Sequence, residues 1–311
     1  MRIATSTMTN MATTSTSGAY SRYYDILNKI VQNKNFTKPS EDIAGTSNLL
    51  KVNDGIAKLD EYQSNINTAM GEMNFAYDTL GSVNDELGKI NSLITEASNA
   101  TTTPDSAKAI ASELKQRVDS VKNYMNSKYL DNYVFSGTNT ETPAYKTQDD
   151  GTVVYQGSSS SAQGRSLTIA EGKTMEYNIT ADSVFPITTT TNPDGTTTTE
   201  DFFSKMDELY NTLNQDPLDY DAIRKNMDVL QNAQNKVVMA QGEFSARVSK
   251  LDTSKSLNET ALTNLQEKKS DIEEVDITKA ATELSSAKAA LQASYLVSQQ
   301  VLSGMSLLDY L

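Results

Sequence analysis

The chain of 311 residues contains no cysteine, no histidine and no tryptophan. It therefore has no thiolate nucleophile, no imidazole base and few of the ligands that zinc sites use. Disulfide bonds are also excluded, so side-chain packing alone must hold the fold. We expect neither a catalytic site of the usual kinds nor a bound metal or cofactor.

Hydrophobic residues and positive charges are scarce. Only 37% of the residues are hydrophobic, and 40 acidic against 27 basic residues give a net charge of -13. This charge repels nucleic-acid phosphate and anionic lipid, and no run of about 18 apolar residues could span a bilayer. Residues 1–21 are rich in Thr, Ser and Asn, where a cleavable signal peptide needs an apolar run. We predict no nucleic-acid or membrane partner, and an export route without signal cleavage.

Helical periodicity is the strongest positive signal. From Leu49, apolar side chains recur at alternate steps of three and four residues, interrupted only by Gln63. After Leu80 the series shifts by one position and resumes at Val83, which predicts one long helix with a local phase change. At roughly 1.5 Å per residue this helix would extend about 70 Å. Such a helix must lie along similar helices in a rod.

Further helices follow. One is predicted from Thr103, because Pro104 suits the first helical position. Its apolar side consists of Ala107, Ile110, Leu114, Val118 and Val121. Helical spacing returns at Phe202 and again from Ile223 to Leu265, so the rod resumes late in the chain.

The middle of the chain lacks the helical periodicity and has a β-type pattern instead. Between about Tyr133 and Thr199, short runs of Tyr, Val, Ile and Thr alternate with glycine-containing turns, which predicts a small β domain. Its last part, Thr188 to Thr199, has Asn192-Pro193-Asp194-Gly195 between two Thr runs and predicts a hairpin.

Both ends of the chain carry an amphipathic helical pattern. The N-terminal stripe includes Tyr20 and Tyr23 and is bounded by the helix stop Lys38-Pro39-Ser40. From Ile277, a heptad pattern continues to the last residues. The residues that we predict to form an assembly interface are Tyr20, Leu27, Ile30, Ile277, Leu284, Leu291, Val301, Met305, Leu308 and Leu311.

Isolated helices of this kind are marginal in water. We therefore expect the terminal segments to be disordered in the free monomer, and to become helical when they pair with each other and with neighbouring copies. The alternative, in which they complete an intramolecular bundle, is left open by the sequence. The pattern as a whole predicts a mainly α fold of long antiparallel helices built from both ends of the chain, with a small β insert.

Several motifs resemble the bacterial flagellin superfamily. Residues 25–30, followed by Lys38-Pro39-Ser40-Glu41-Asp42-Ile43-Ala44-Gly45, are similar to the N-terminal helix and turn of that family, and residues 290–295 and 306–311 to its closing helix. Residues 133–145 and 242–247 resemble the hook–filament junction branch rather than filament flagellin. The motif positions are Pro39, Ser40, Asp42, Gly45, Phe135, Ser136, Gly137, Pro143 and Arg247.

The resemblance implies a layered, elongated flagellin-like subunit. Residues 1–42 and 272–311 would form an inner-tube coiled coil, residues 43–132 and 200–271 a helical rod, and residues 133–199 an outward-facing β domain. It also implies a non-enzymatic adaptor at the hook–filament junction of the flagellum. The implied partners are the first hook-associated protein (FlgK), flagellin, further copies in a ring, and the export chaperone FlgN of the flagellar type III apparatus.

Three other functions remain as alternatives. Filament flagellin would grow long filaments unaided. A secreted enzyme would have to use carboxylates, and the candidate clusters are Asp149-Asp150, Asp216 with Asp219 and Asp221, and Glu273-Glu274 with Asp276. These acids lack an EF-hand spacing, and we interpret them as turns and solvated helix faces. A chemoreceptor-type coiled coil would need a membrane span or a basic anchor, which the sequence lacks.

Overall fold

The computed structural model describes residues 2–99, 102–149, 151–158, 164–191 and 197–308. Long helices dominate these ranges, as the periodicity predicts. They are α1 (Arg2–Gln32), α2 (Ile43–Ala97), α3 (Pro104–Met125), the single turn α4 (Ala181–Val184), α5 (Phe202–Leu213), α6 (Tyr220–Glu273) and α7 (Ile277–Leu308).

Eight short strands form four separate antiparallel pairs. The pairs are β1 (Lys128–Tyr129) with β2 (Asn132–Tyr133), β3 (Tyr145–Thr147) with β4 (Val153–Tyr155), β5 (Ser166–Ala170) with β6 (Lys173–Glu176), and β7 (Thr188–Thr191) with β8 (Thr197–Glu200). The predicted class, mainly α with a small β insert, is confirmed. The Thr-rich hairpin is also confirmed, while its turn, residues 192–195, lies outside the described residues.

The chain divides into two compact units. One comprises the described parts of 1–59 and 260–311, and the other residues 60–259. The division into inner-tube, rod and β domains stays a prediction.

The core of the larger unit begins on α2. Its buried residues follow one heptad series from end to end: Ile66, Ala69, Met73, Ala76, Leu80, Val83, Leu87, Ile90, Ile94 and Ala97. The predicted phase change after Leu80 is therefore wrong. The sequence pattern selected the larger Met70 and Tyr77, but Tyr77 is 41% exposed and the neighbouring alanines are buried. Small side chains occupy the seam where helices pack closely.

Helix α3 begins as predicted. Thr103 is its N-cap, Pro104 is its first residue, and all five predicted apolar positions are buried. The N-terminal helix differs, because α1 ends at Gln32, before the predicted stop at Lys38-Pro39-Ser40. Asn33 has a φ of 51°, and the amide of Lys34 donates to the carbonyl of Lys29 at 2.9 Å. A left-handed Asn just after the last helical residue is a common helix terminator, and it acts here before the proline is reached.

Aromatic packing joins the β region to the helices of the larger unit. Tyr145 and Phe203 lie with ring centroids 4.6 Å apart, and Phe185 stacks on Phe202 at 4.8 Å. Tyr145 is 1% exposed, and this burial raises the pKa of its hydroxyl well above the usual value. The β3–β4 and β5–β6 pairs are therefore parts of one core with the helices rather than an appended sheet.

Candidate assembly surface on the terminal helices

Helices α1 and α7, from opposite ends of the sequence, pack against each other in the smaller unit. The buried positions along this pair are Ile26, Ala280 and Ala287. Further toward the chain ends the contact is polar, because the hydroxyls of Thr16 and Ser298 are hydrogen-bonded at 2.8 Å. Among the described side chains of the two helices, Ile26 is the one large apolar residue that is buried in the seam between them.

The predicted interface residues have different positions around this seam. Leu27, Ile30, Leu284, Leu291 and Val301 are half-buried along it, whereas Tyr20 and Ile277 are exposed. Met305 and Leu308 belong to α7, but their side chains lie outside the described part, as does Leu311 entirely. The role of these residues as an assembly interface stays a prediction.

A second set of apolar residues lies outside the seam. On α7, Tyr295, Leu296 and Val297 are 52%, 65% and 55% exposed. Among the described side chains of α1 and α7, the exposed large apolar residues are Met8, Met11, Tyr20, Tyr24, Val31, Ile277, Tyr295, Leu296 and Val297. Of these residues, Tyr20 and Ile277 belong to the predicted assembly interface. The sequence does contain a signal for this exposed set, namely three consecutive apolar residues in one helix. Consecutive residues point to different sides of a helix, so contact with one neighbouring helix can cover only some of them.

Tyrosines concentrate on this exposed surface. The rings of Tyr20 and Tyr24 lie 4.4 Å apart, and Tyr23 packs edge-on against Tyr24 at 5.5 Å. A hydrogen bond with Tyr24 raises the pKa of Tyr20, so its hydroxyl is neutral at physiological pH. Clustered tyrosines that combine an apolar ring with a polar tip are typical of protein interfaces.

The segment between α1 and α2 contains the first family motif. It contacts the last residue of α6, just before α7 begins. Lys34 pairs with Glu273 at 3.2 Å, and the amide of Asn35 donates to the carbonyl of Glu273 at 2.7 Å. The carboxylate of Asp42 accepts from the amide of Gly45 at 2.8 Å. Asp42 and the ring of Phe36 leave no room for a Cβ at residue 45, which explains the glycine.

Pro39 and Ser40 lie exposed in the turn that precedes Asp42. This motif therefore shapes the chain between the two helices, and it presents no reactive group.

The second motif is a packing element. Phe135 and Ser136 are fully buried, and the Ser136 hydroxyl donates to the carbonyl of Thr142 at 2.7 Å, next to Pro143. Gly137 has a φ of 72°, a conformation that favours glycine. These residues hold a turn inside the larger unit.

Arg247, the third motif position, fastens the β5–β6 hairpin to α6. Its guanidinium donates to the carbonyl of Asn178 at 2.7 Å, and the side-chain oxygen of Asn178 accepts from the amide of Arg165 at 2.6 Å. Arg165 in turn forms a largely buried ion pair with Glu72 of α2. A separation of 69 residues between Arg247 and Asn178 hides this contact from any local sequence pattern.

Two asparagines complete the attachment of that hairpin. Asn65 of α2 donates to the carbonyl of Thr168 at 3.0 Å, and Asn258 of α6 donates to that of Ile169 at 3.1 Å. One strand is thus hydrogen-bonded to both long helices. We define this group, Asn65, Glu72, Arg165, Asn178, Arg247 and Asn258, as the hairpin clamp.

The acidic clusters serve helix ends rather than catalysis. The carboxylate of Asp219 accepts from the amides of Asp221 and Ala222 at the start of α6. Asp276 likewise accepts from the amides of Thr278 and Lys279 at the start of α7. Glu273 pairs with Lys34, Asp150 lies outside the described residues, and no group of acids in the described ranges could hold a metal. A carboxylate near a helix N-terminus stabilises the helix.

Among the helices in the described ranges, none is both long and apolar enough to cross a bilayer.

Comparison with known proteins agrees with the motifs. Residues 3–140 match the family model of the bacterial flagellin N-terminal helical region, while no curated protein matches the sequence. A protein assigned as a flagellar hook-associated protein from Vibrio parahaemolyticus is 22% identical, with a TM-score of 0.65 over 75% of this chain and 100% of that one.

Two further solved structures are similar. FlgL from Xanthomonas campestris is 16% identical, with a TM-score of 0.61 over 70% of this chain and 99% of that one. Flagellar hook-associated protein 3 from Legionella pneumophila is also 16% identical, with a TM-score of 0.59 over 70% and 96%. At these identities the structures show a shared fold. Proteins of this family are structural subunits, in agreement with the expectation of a non-enzymatic chain.

The resemblance of the motifs to the flagellin superfamily is thus confirmed: residues 3–140 match the flagellin N-terminal helical region, and the chain shares its fold with the FlgL structures.

Proposed function

We propose that the protein is the adaptor that joins the hook to the flagellin filament, at the junction outside the cell. It assembles through α1 and α7 into a ring of identical copies, with the first hook-associated protein FlgK on one side and flagellin on the other. The chaperone FlgN escorts it to the flagellar type III apparatus, which exports it without signal cleavage. The structures of hook-associated protein 3 and FlgL support this role by their fold.

The observation that carries the proposal is the set of large apolar residues outside the α1–α7 seam. Ile26, Ala280 and Ala287 are buried in the helix pair, whereas Leu296, Val297 and Tyr295 remain more than half exposed. Burying side chains of this class contributes roughly 1.5 to 3 kcal/mol each. Neighbouring subunits would supply that burial.

The weak seam also supports our expectation about the free monomer. Helices that bury only a few small residues gain little free energy to offset the entropy cost of ordering. We therefore propose that α1 and α7 are ordered mainly in the assembled state. Amide hydrogen exchange on a dilute monomer measures this directly, and strong protection along both helices would contradict it.

Deletion of the gene tests the junction role. We expect cells that keep their hooks, lack filaments and release flagellin monomers into the medium, which electron microscopy and analysis of the culture supernatant would record. Restoring the gene should restore filaments. Cells that still bear filaments of normal length would exclude an adaptor role.

Filament flagellin is the competing function within the superfamily. The resemblance of residues 133–145 and 242–247 to junction proteins favours the adaptor. Purified protein distinguishes the two: an adaptor stays monomeric or forms short oligomers, and flagellin grows long filaments unaided.

A further inference from the structure

The tip of the β1–β2 hairpin carries an unusual residue. Tyr129 pairs with Asn132, so Leu130 and Asp131 alone form the turn. Leu130 has a φ of 53°, in the left-handed region that Gly and Asn occupy readily and that a leucine adopts only with strain. Its side chain is 81% exposed, more than any other large hydrophobic residue in the described part of the chain.

Neither local conformation nor the core of this chain explains the leucine. The hairpin is already fixed, because Tyr129 packs on Phe75 at 5.6 Å and the amide of Tyr133 donates to the carbonyl of Thr140 at 2.9 Å. Leu130 adds backbone strain and exposed apolar surface to this rigid support. Strained residues that persist on a rigid support often mark a contact with another molecule.

A receiving site exists on the same unit. A groove of about 380 Å³ runs between α2 and α6, with apolar walls from Met70, Tyr77, Phe244 and Val248. Tyr77, one of these residues, is 41% exposed. The groove contains one ionisable carboxylate, that of Asp252, and Lys128 lies two residues before Leu130.

We propose that Leu130 of one copy inserts into the groove between α2 and α6 of a second copy. The apolar side chain of Leu130 is complementary to the apolar walls of the groove. In the same contact, the positively charged Lys128 can approach the negatively charged Asp252 of the other copy. In the ring of the proposed function each copy meets two neighbours through one repeated contact, so the Leu130 contact is head-to-tail and continues from copy to copy. This extends the self-association in the proposed function to a second contact, independent of the terminal helices.

The absence of cysteine makes a direct test possible. Asp131→Cys leaves Leu130 in place, and Ser245→Cys marks the groove with an exposed side chain. The double variant is treated with a short bismaleimide, both as purified protein over a range of concentrations and on flagella sheared from cells that make it. Head-to-tail contact predicts a ladder of cross-linked dimers, trimers and larger species on denaturing gels.

Two comparisons decide the outcome. Asp131→Cys with Ser112→Cys, an exposed position on α3, is the matched pair and should give almost no ladder. Adding Leu130→Asn to the first pair removes the apolar side chain but suits the left-handed turn, so the melting temperature should not fall while the ladder weakens about tenfold or more.

A ladder that is equal in the two pairs, unchanged by Leu130→Asn, or absent from both preparations would overturn the contact. Failure of the proposed function has a different signature, because the protein would then be missing from the sheared flagella altogether. Its presence there without a ladder counts against the Leu130 contact alone.

Discussion

Arg247 illustrates how a single family-motif side chain acts in this protein. It donates to the carbonyl of Asn178, through which the hairpin clamp ties β5 and β6 to α6. Its second partner, Glu243, lies on the exposed side of the same helix. The buried contact stabilises the larger unit, and the exposed pair contributes little because solvent screens it.

Arg247→Ala should therefore lower the free energy of unfolding by about 1 to 3 kcal/mol, since it leaves a buried carbonyl without its charged donor. Urea unfolding followed by circular dichroism measures the loss. The matched control Glu243→Gln removes the exposed pair and should change stability by less than about 1 kcal/mol. An equal loss in both variants would mean that the clamp contact is not the stabilising one.

Among the helices, α7 has apolar residues that are buried and apolar residues that are exposed. Ala280 and Ala287 pack against α1, and Tyr295, Leu296 and Val297 remain exposed. A change on the exposed side should leave the α1–α7 pair intact and affect assembly alone.

Leu296→Glu combined with Val297→Glu should therefore abolish incorporation into flagella, because two carboxylates would have to be buried between subunits. The helix content of the purified protein should stay within a few per cent, measured by far-ultraviolet circular dichroism. Gln292→Glu adds the same type of charge to an exposed polar position of α7 and should be tolerated. Normal incorporation of the double variant, measured by immunoblot of sheared flagella, would contradict an assembly role for this side.

The molecule as a whole consists of two compact units. The larger unit, residues 60–259, contains the continuous core of α2, α3, α5 and α6, with the strand pairs packed on it. The terminal helices belong to the other unit. The stability of the larger unit should therefore not require the terminal helices.

A variant reduced to residues 33–276, without α1 and α7, should keep a cooperative thermal transition because the core of the larger unit is intact. In a strain that lacks the gene it should fail to restore swimming in soft agar, whereas the full chain should restore it. Swimming with the shortened chain would show that assembly does not need the terminal helices.

Much of the helical architecture follows from the sequence alone. Periods of three and four residues predict α2, α3, α6 and α7, because a helix buries one side and the pattern repeats wherever that side faces a core. The Thr103-Pro104 start and the hairpin around residues 188–199 follow from local turn and capping chemistry, which depends on few neighbours. The heptad of α7 predicts a helix over the range in which the structure has one.

Other features were decided only by tertiary structure. Hydrophobicity ranks Met70 and Tyr77 above Ala69 and Ala76, yet close packing buries the alanines and leaves one side of the tyrosine to a groove. Sequence likewise does not tell which of several apolar residues on α7 a neighbouring helix leaves exposed. The hairpin clamp and the strained position of Leu130 depend on contacts and backbone angles between distant residues. The sequence by itself determined which segments are helical, because periodicity is local, and the folded chain determined which surfaces remain available to another subunit, because burial depends on the whole arrangement.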